Sequence, residues 1–353
     1  MAAMPEWQGV LRAYSDLIDL PPFDEPVSLI EGNTPLISVP RLAGALGAAQ
    51  ALVKFEGLNP TGSFKDRGMT AAMTDAVQRG AKAVICASTG NTAASAAAYA
   101  ARAGLPCYVL IPAGQVAAGK LAGAAAYGAR ILQIDGSFDV ALDLVRRAAE
   151  SGELALVNSV NPARLQGQKT VAFEICDQFG RAPDWLALPV GNAGNITAAW
   201  MGFQQYQDLK GMAPPRLLGV QAAGAAPLVL GHAVDQPQTV ATAIRIGHPA
   251  RGAQALEAAR QSGGRIIAAE DSAILAAQAS LAAEGLWVEP ASAAGPAGML
   301  EQVRSGEIEL GGRTVVFICT GHGLKDPDAI TSRMPPPDKI AATHEALAAR
   351  LRP

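Results

Sequence analysis

The sequence predicts an α/β protein of two domains, each with a mostly parallel twisted sheet flanked by helices. From residue 51 onward, short β-branched or apolar runs alternate with alanine-rich amphipathic stretches. Strand followed by helix, repeated this often, is the pattern of parallel sheets covered on both faces. The length of 353 residues suits two domains, at roughly 100–200 residues each. The composition agrees: 50% hydrophobic, only 17% charged, and 37 glycines, as in close helix-on-sheet packing and unlike a disordered chain.

The elements follow in chain order. ALVKFEG (51–57) reads as a strand, and the segment after Ser63 as a helix reaching Gly80. AVICAS (83–88) is the next strand, followed by a helix from Thr92 to Ala103. Then come CYVLIP (107–112), a helix near 118–127, RILQID (130–135) and a helix over 138–150. Gly80, Gly104 and Gly128 support three of these helix ends, because glycine enters the left-handed conformation without steric cost. ALVN (155–158) precedes one long helix over 164–179, and WLALPV (185–190) precedes a helix from Ile196. LLGVQA (217–222), RIIAAE (265–270) and TVVFICT (314–320) are the later strands. The first 25 or so residues and the joint MPPPDK (334–339) are expected to be loose, with a C-terminal helix after the joint. No linker marks a domain boundary. The rhythm of strands places the crossings near 60 and 160, so that 1–60 and 160–353 form a larger domain and 61–159 a smaller one.

Charge and cysteine usage exclude several functions. The net charge is −3, with no basic block, which argues against nucleic acid or an anionic membrane as partner. Any anion bound must be met by local geometry. Cys86, Cys107, Cys176 and Cys319 are scattered and form no C-x-x-C pair, the pattern of buried free thiols in a reducing cytosol. The four histidines show no metal-ligand spacing, so no metal is expected. The N-terminus lacks the apolar core of a signal peptide, and no apolar run reaches membrane-spanning length. A cytoplasmic protein is expected.

Four stretches carry chemistry. In PVGNAGNITAAW (189–200) a strand runs into a loop of two glycines and two asparagines, and a helix follows. Such a loop aims backbone N–H groups and a helix dipole at one spot, where an anion can sit. An ordinary tight βα turn also favours Gly and Asn. It is neither a Walker loop nor a dinucleotide fingerprint, since both spacings fail. In CASTGNTAASAAAYA (86–100) hydroxyls and amides crowd a helix N-terminus, which suits a carboxylate; a plain N-cap is the simpler reading of that loop taken alone. In FICTGHGLKD (317–326) a strand ends at Thr320, where open α/β sheets place ligands. Glycines flank His322, a general base without a visible orienting acid, or a solvent-facing turn residue.

GSFKDRG (62–68) sets Lys65 at a helix start. The helix N-terminus and Arg67 favour a lowered lysine pKa, and Asp66 opposes it. A neutral amine there could form a Schiff base; alternatively Lys65 and Asp66 are a solvated charge pair. Together, an amine, an anion cradle, a hydroxyl-rich helix start and a hydroxyl at a strand end are what a pyridoxal phosphate site requires.

At this point the sequence resembles threonine synthase among the fold-type-II pyridoxal phosphate enzymes. PTGSFKDRG, STGNTA, GNAGN and TGHGLKD occur in that order, and the likeness runs from EGNTPL (31–36) to about Asp328. The resemblance implies that Lys65 holds the cofactor, Asn91 contacts the ring oxygen, and Thr320 faces the pyridine nitrogen. It implies that Gly191, Asn192, Ala193, Gly194 and Asn195 hold the cofactor phosphate. Thr89 and Thr92 would take the substrate carboxylate, and Asn158, Ser159 and Arg164 the substrate's own phosphate. The planar fork of Arg164 suits that task on its own chemistry. The implied reaction turns O-phospho-L-homoserine and water into L-threonine and phosphate, by γ-elimination and β-addition of water through a stabilised carbanion. A homodimer is usual for the family.

Two rivals are kept. A threonine or serine dehydratase of the same fold would carry a histidine where Thr92 stands, and a run of glycines where GNAGN stands. A catalytically silent pyridoxal phosphate or amino-acid binder would not need Lys65 and every contact residue intact.

Overall fold

The computed structural model describes residues 6–113, 118–136, 138–150 and 152–351. Its strands are β1 (Leu36–Ser38), β2 (Gln50–Phe55), β3 (Ala83–Ala87), β4 (Cys107–Pro112), β5 (Arg130–Ile134), β6 (Leu154–Leu156), β7 (Trp185–Pro189), β8 (Arg216–Ala222), β9 (Arg265–Ala269) and β10 (Thr314–Cys319). They form a six-stranded sheet of order β1-β2-β10-β7-β8-β9 and a four-stranded sheet of order β5-β4-β3-β6. Every pairing is parallel except that of β1 with β2.

Parallel sheets are covered on both faces, so their strands read as unbroken apolar runs while successive side chains still alternate between two cores. In β10, Val315, Phe317 and Cys319 enter one core, and Val316 and Ile318 enter the other. In β3, Val84 and Cys86 face one core, and Ile85 and Ala87 face a second. All four cysteines are buried and unpaired. Among the described residues no helix is long and apolar enough to cross a membrane.

Two expectations need correction. Residues 6–25 are not loose throughout. Val10 and Leu11 are fully buried against Ala71, with Trp7, Ile18, Leu20 and Phe23 around them. The buried Glu31 carboxylate fastens this segment by accepting from Val10 N and from the Tyr99 hydroxyl. The long helix over 164–179 is two helices, Ala163–Gln168 and Thr170–Phe179, meeting at Lys169. Thr170 Oγ1 bonds back to Gly167 O at 2.7 Å, which offers the backbone an alternative to the regular ladder at that point. Helices Asp271–Ala283 and Ala294–Arg304 had no assignment from sequence. Alanine on most faces of the first leaves its periodicity faint.

One buried charge network fixes the helix Lys65–Gln78. Arg67 pairs with Glu56 at 2.6 Å and Glu174 at 2.7 Å, and Lys54 pairs with Glu174 at 2.7 Å. Two cations and two carboxylates thus tie β2, that helix and Thr170–Phe179 together.

Candidate active site

The C-terminal ends of β3, β6, β7 and β10 open toward one cavity, the place where parallel sheets bind ligands. Its wall includes all thirteen residues singled out from the sequence: Lys65, Thr89, Asn91, Thr92, Asn158, Ser159, Arg164, Gly191 to Asn195, and Thr320. Their separation along the chain reaches 255 residues (320 − 65), so only the tertiary fold brings them together.

Lys65 is the first residue of its helix, and the turn before it is clamped by the loop after β10. Ser63 and Gly321 form an antiparallel bridge. Phe64 N donates to Thr320 O at 2.9 Å, His322 N to Gly62 O at 3.0 Å, and Lys325 Nζ to Thr61 O at 3.0 Å. Gly62 has φ +85°, a left-handed turn conformation that glycine adopts without strain. Lys65 Nζ lies 3.8 Å over the Phe64 ring. The frame of the heptapeptide therefore holds a helix start against a strand end.

The helix Ala163–Gln168 approaches the lysine helix through glycines. A β-carbon on Gly68 would stand 2.9 Å from Arg164 O, and one on Gly167 only 1.8 Å from Arg67 O. Both positions need bare backbone so that Ala163–Gln168 can cross close to the lysine helix, and this crossing delivers Arg164 to Lys65. The Lys65 amine is pulled down to about 7, first by burial and then by the Arg164 charge, while Glu289 opposes. The expected lever, Arg67, is instead engaged by Glu56 and Glu174. Asp66 is no solvated partner of Lys65. It is buried, accepting from Thr61 N, Thr61 Oγ1 and Ser95 Oγ at 2.6–2.7 Å, and burial pushes its carboxyl up to about 6.

Arg164 is 1% exposed. Its Nη1 donates to Val157 O at 3.3 Å, and its Nε has no partner among the described residues. Burial lowers its pKa to about 10. A buried guanidinium with a free donor is costly unless an anion completes it.

The loop after β7 supplies another group of donors. Ala193 takes φ 65° at the N-terminus of helix Gly194–Lys210, a conformation that costs a non-glycine residue about 1–2 kcal/mol. A β-carbon on Gly191 would stand 3.1 Å from Ile244 Cα, so glycine lets the loop lie flat there. The first turn of a helix leaves backbone N–H groups without intrahelical partners, and beside them Asn195 Nδ2 is buried without a partner among the described residues. This cradle, with a lysine across the cavity, fits pyridoxal phosphate, whose phosphate would satisfy the orphan donors and whose aldehyde would meet the amine.

The remaining walls come from three loops. Thr89, Asn91 and Thr92 are half-buried at the start of helix Asn91–Ala103, and Asn91 Nδ2 donates to both oxygens of Glu289 at 3.2 and 3.0 Å. Asn158 pairs with the backbone of Ala87 on both sides, at 3.0 and 2.8 Å, leaving one N–H for the cavity. Ser159 stands beside it, half-buried. Thr320 Oγ1 lies 3.1 Å from Ser292 Oγ and 3.5 Å from Glu289 Oε1. His322 does not line the cavity; it lies between Phe55 and Trp287, at centroid distances of 5.8 and 5.7 Å, and its Nδ1 accepts from Leu324 N.

Sequence reasoning missed Glu289, the one carboxyl among the described residues of the wall, and its neighbour Ser292. Burial holds the Glu289 carboxyl above its ordinary pKa. The available signal was an acid inside GLWVEPASAAG, an otherwise apolar and small-residue run.

A family model described as pyridoxal-phosphate dependent enzyme matches residues 27–321. The chain is 56% identical over 348 residues to a threonine synthase of Mycobacterium leprae, covering 96% of each chain. It is 53% identical over 330 residues to that of Halalkalibacterium halodurans, 93% of each, and 49% identical over 344 residues to that of Methanocaldococcus jannaschii, 94% of this chain and 84% of the relative. Among solved structures, maize serine racemase superposes with a TM-score of 0.73 at 23% identity, covering 86% of this chain and 92% of that one. A threonine deaminase from Solanum lycopersicum gives 0.72 at 22%, covering 87% and 88%. At such identities these two speak for the shared fold alone.

Proposed function

Because the chain belongs to the pyridoxal-phosphate dependent enzymes and, within them, to the threonine synthase family, we propose that its substrate is O-phospho-L-homoserine, converted with water to L-threonine and phosphate. Arg164 carries this choice of substrate. It is a buried guanidinium whose Nε has no partner among the described residues, in the same cavity as the Gly191–Asn195 loop. A second anion position beside a phosphate cradle is what a substrate with its own phosphate requires, and a dehydratase acting on a hydroxyl amino acid has no use for it.

When bound, pyridoxal phosphate supplies an aldehyde that joins amines and a ring that draws off the electron pair left at Cα. Gly191 to Asn195 and the dipole of the following helix hold its phosphate. Asn91 meets the ring oxygen and Thr320 the pyridine nitrogen. Lys65 has two tasks, anchoring the cofactor and taking the Cα proton, and both need an uncharged amine. A pKa lowered to about 7 gives it far more of the uncharged form at neutral pH than an ordinary lysine has. Thr89 and Thr92, at a helix N-terminus, bind the substrate carboxylate. Arg164, Ser159 and the remaining N–H of Asn158 hold the substrate phosphate and then the phosphate that leaves.

In the same reading, residues 61–159 form the smaller domain and 1–60 with 160–353 the larger, and the chain works as a homodimer in the cytoplasm. The test is release of inorganic phosphate and threonine from O-phospho-L-homoserine by the cofactor-loaded protein. Matching amounts of both are expected, with loss in Lys65→Ala. Phosphate absent from the parent protein would sink the substrate assignment.

A further inference from the structure

A second guanidinium, outside the cavity wall, is held by the loop that carries Ser159. Arg251, the residue before helix Gly252–Gln261, donates Nε to Ser159 O at 3.2 Å and Nη2 to Val160 O at 3.1 Å. Arg164 reaches the same stretch through Val157 O. Residues 157–160 therefore hold two arginines, both by main-chain carbonyls. Among the described residues neither arginine forms a salt bridge with a carboxylate, in contrast to Arg67, Arg260 and Arg265. The Arg251 charge is also close enough to be felt by Arg164. The segment leading to Arg251 touches the other anion position as well, Ala250 N donating to Asn192 Oδ1 at 3.5 Å.

Two like charges held near each other on neutral acceptors, one of them buried, are unfavourable unless an anion joins them. Carbonyls can orient a guanidinium, but they do not cancel its charge. The arrangement therefore favours a ligand carrying two negative charges at that spot over an uncharged hydroxyl.

We infer that Arg251 is a positioning and specificity-determining residue for the substrate phosphate: it carries the Ser159 loop and adds the second positive charge that selects a phosphoester over the free hydroxyl amino acid. This rests on the functional reading above. The Arg251 fork holds the Ser159 loop, and its charge is the part that discriminates between phosphoester and hydroxyl. Half-buried, the residue can be replaced without opening a core cavity.

The experiment uses the cofactor-loaded enzyme as parent, Arg251→Gln and Arg251→Lys. Glutamine keeps a donor and loses the charge; lysine keeps the charge and loses the fork. For Arg251→Gln, KM for O-phospho-L-homoserine and the inhibition constant of inorganic phosphate are expected to rise together by about tenfold, as loss of a charge-assisted contact predicts, with kcat within about twofold. Arg251→Lys recovers most of both. Unchanged constants in Arg251→Gln would refute the inference. So would a fall in kcat with phosphate inhibition intact, which is the mark of a loop brace only. Binding of inorganic phosphate, followed as a thermal shift, needs no turnover. A parent that binds phosphate without consuming the ester would overturn the functional reading, while the Arg251 comparison is still decided by the phosphate shifts.

Discussion

Gly167→Ala tests how Lys65 comes to have Arg164 beside it. An alanine β-carbon at 167 would stand 1.8 Å from the Arg67 carbonyl oxygen and 2.7 Å from its carbon, both backbone atoms of the lysine helix. Carbon–oxygen contacts settle at roughly 3.3 Å or more, so the two helices must part by about 1.5 Å. Overpacking of this kind costs about 1–3 kcal/mol. The same displacement pulls Arg67 from partners that it meets at 2.6 and 2.7 Å, and disturbing a buried pair adds to the loss. A total of about 3 kcal/mol or more is expected, a fall in Tm of roughly 6 °C or more. Gly44→Ala is the control: a β-carbon there meets nothing within 4 Å, inside the helix Pro40–Leu46. The same substitution should stabilise by about 0.5–1 kcal/mol. Urea midpoints at constant m, with thermal unfolding followed by circular dichroism, measure both. If Gly167→Ala lies within about 0.5 kcal/mol of the parent, the close-crossing argument is wrong.

Glu174→Gln should cost about 3–5 kcal/mol at neutral pH, since it leaves Lys54 and Arg67 buried with Glu56 as the remaining carboxylate. Burial pushes the Glu174 carboxyl up, but Arg67 and Lys54 overrule it and hold the group down to about 2, from an ordinary 4.5. A carboxyl lowered in the folded state contributes its full stability above the unfolded value and loses it as pH falls toward the folded one. The gap between parent and variant in urea midpoint should therefore narrow from pH 6 to pH 3, and a gap that ignores pH would refute the pairing. Glu289→Gln removes the charge that holds the Lys65 pKa up, so the amine should become more acidic. Labelling of cofactor-stripped protein by a soluble aldehyde should reach half-maximal rate at lower pH, and an unmoved or raised midpoint would contradict the electrostatic account.

The alternation of strand and helix was legible in the sequence because buried parallel strands leave apolar runs, and glycine marks helix ends locally. Lys65, the STGNT loop, the GNAGN loop and Thr320, which line the cavity, stood out in the sequence for a related reason: each lies where a strand end or helix start imposes its own local chemistry. Glu289 carries no such local mark, because its meaning comes from Asn91, 198 residues away in sequence. The Lys65 environment was misread for the same reason. Arg67 is its sequence neighbour but turns to Glu56 and Glu174, whereas Arg164 acts on it from 99 residues further on (164 − 65). The break at Lys169 and the burial of Val10 and Leu11 likewise depended on contacts made by other segments. The sequence by itself determined which local pieces could hold an amine, an anion or a helix start. Which charges face one another across the cavity was decided only by the tertiary structure, because electrostatic coupling depends on distance through space and burial rather than on separation along the chain.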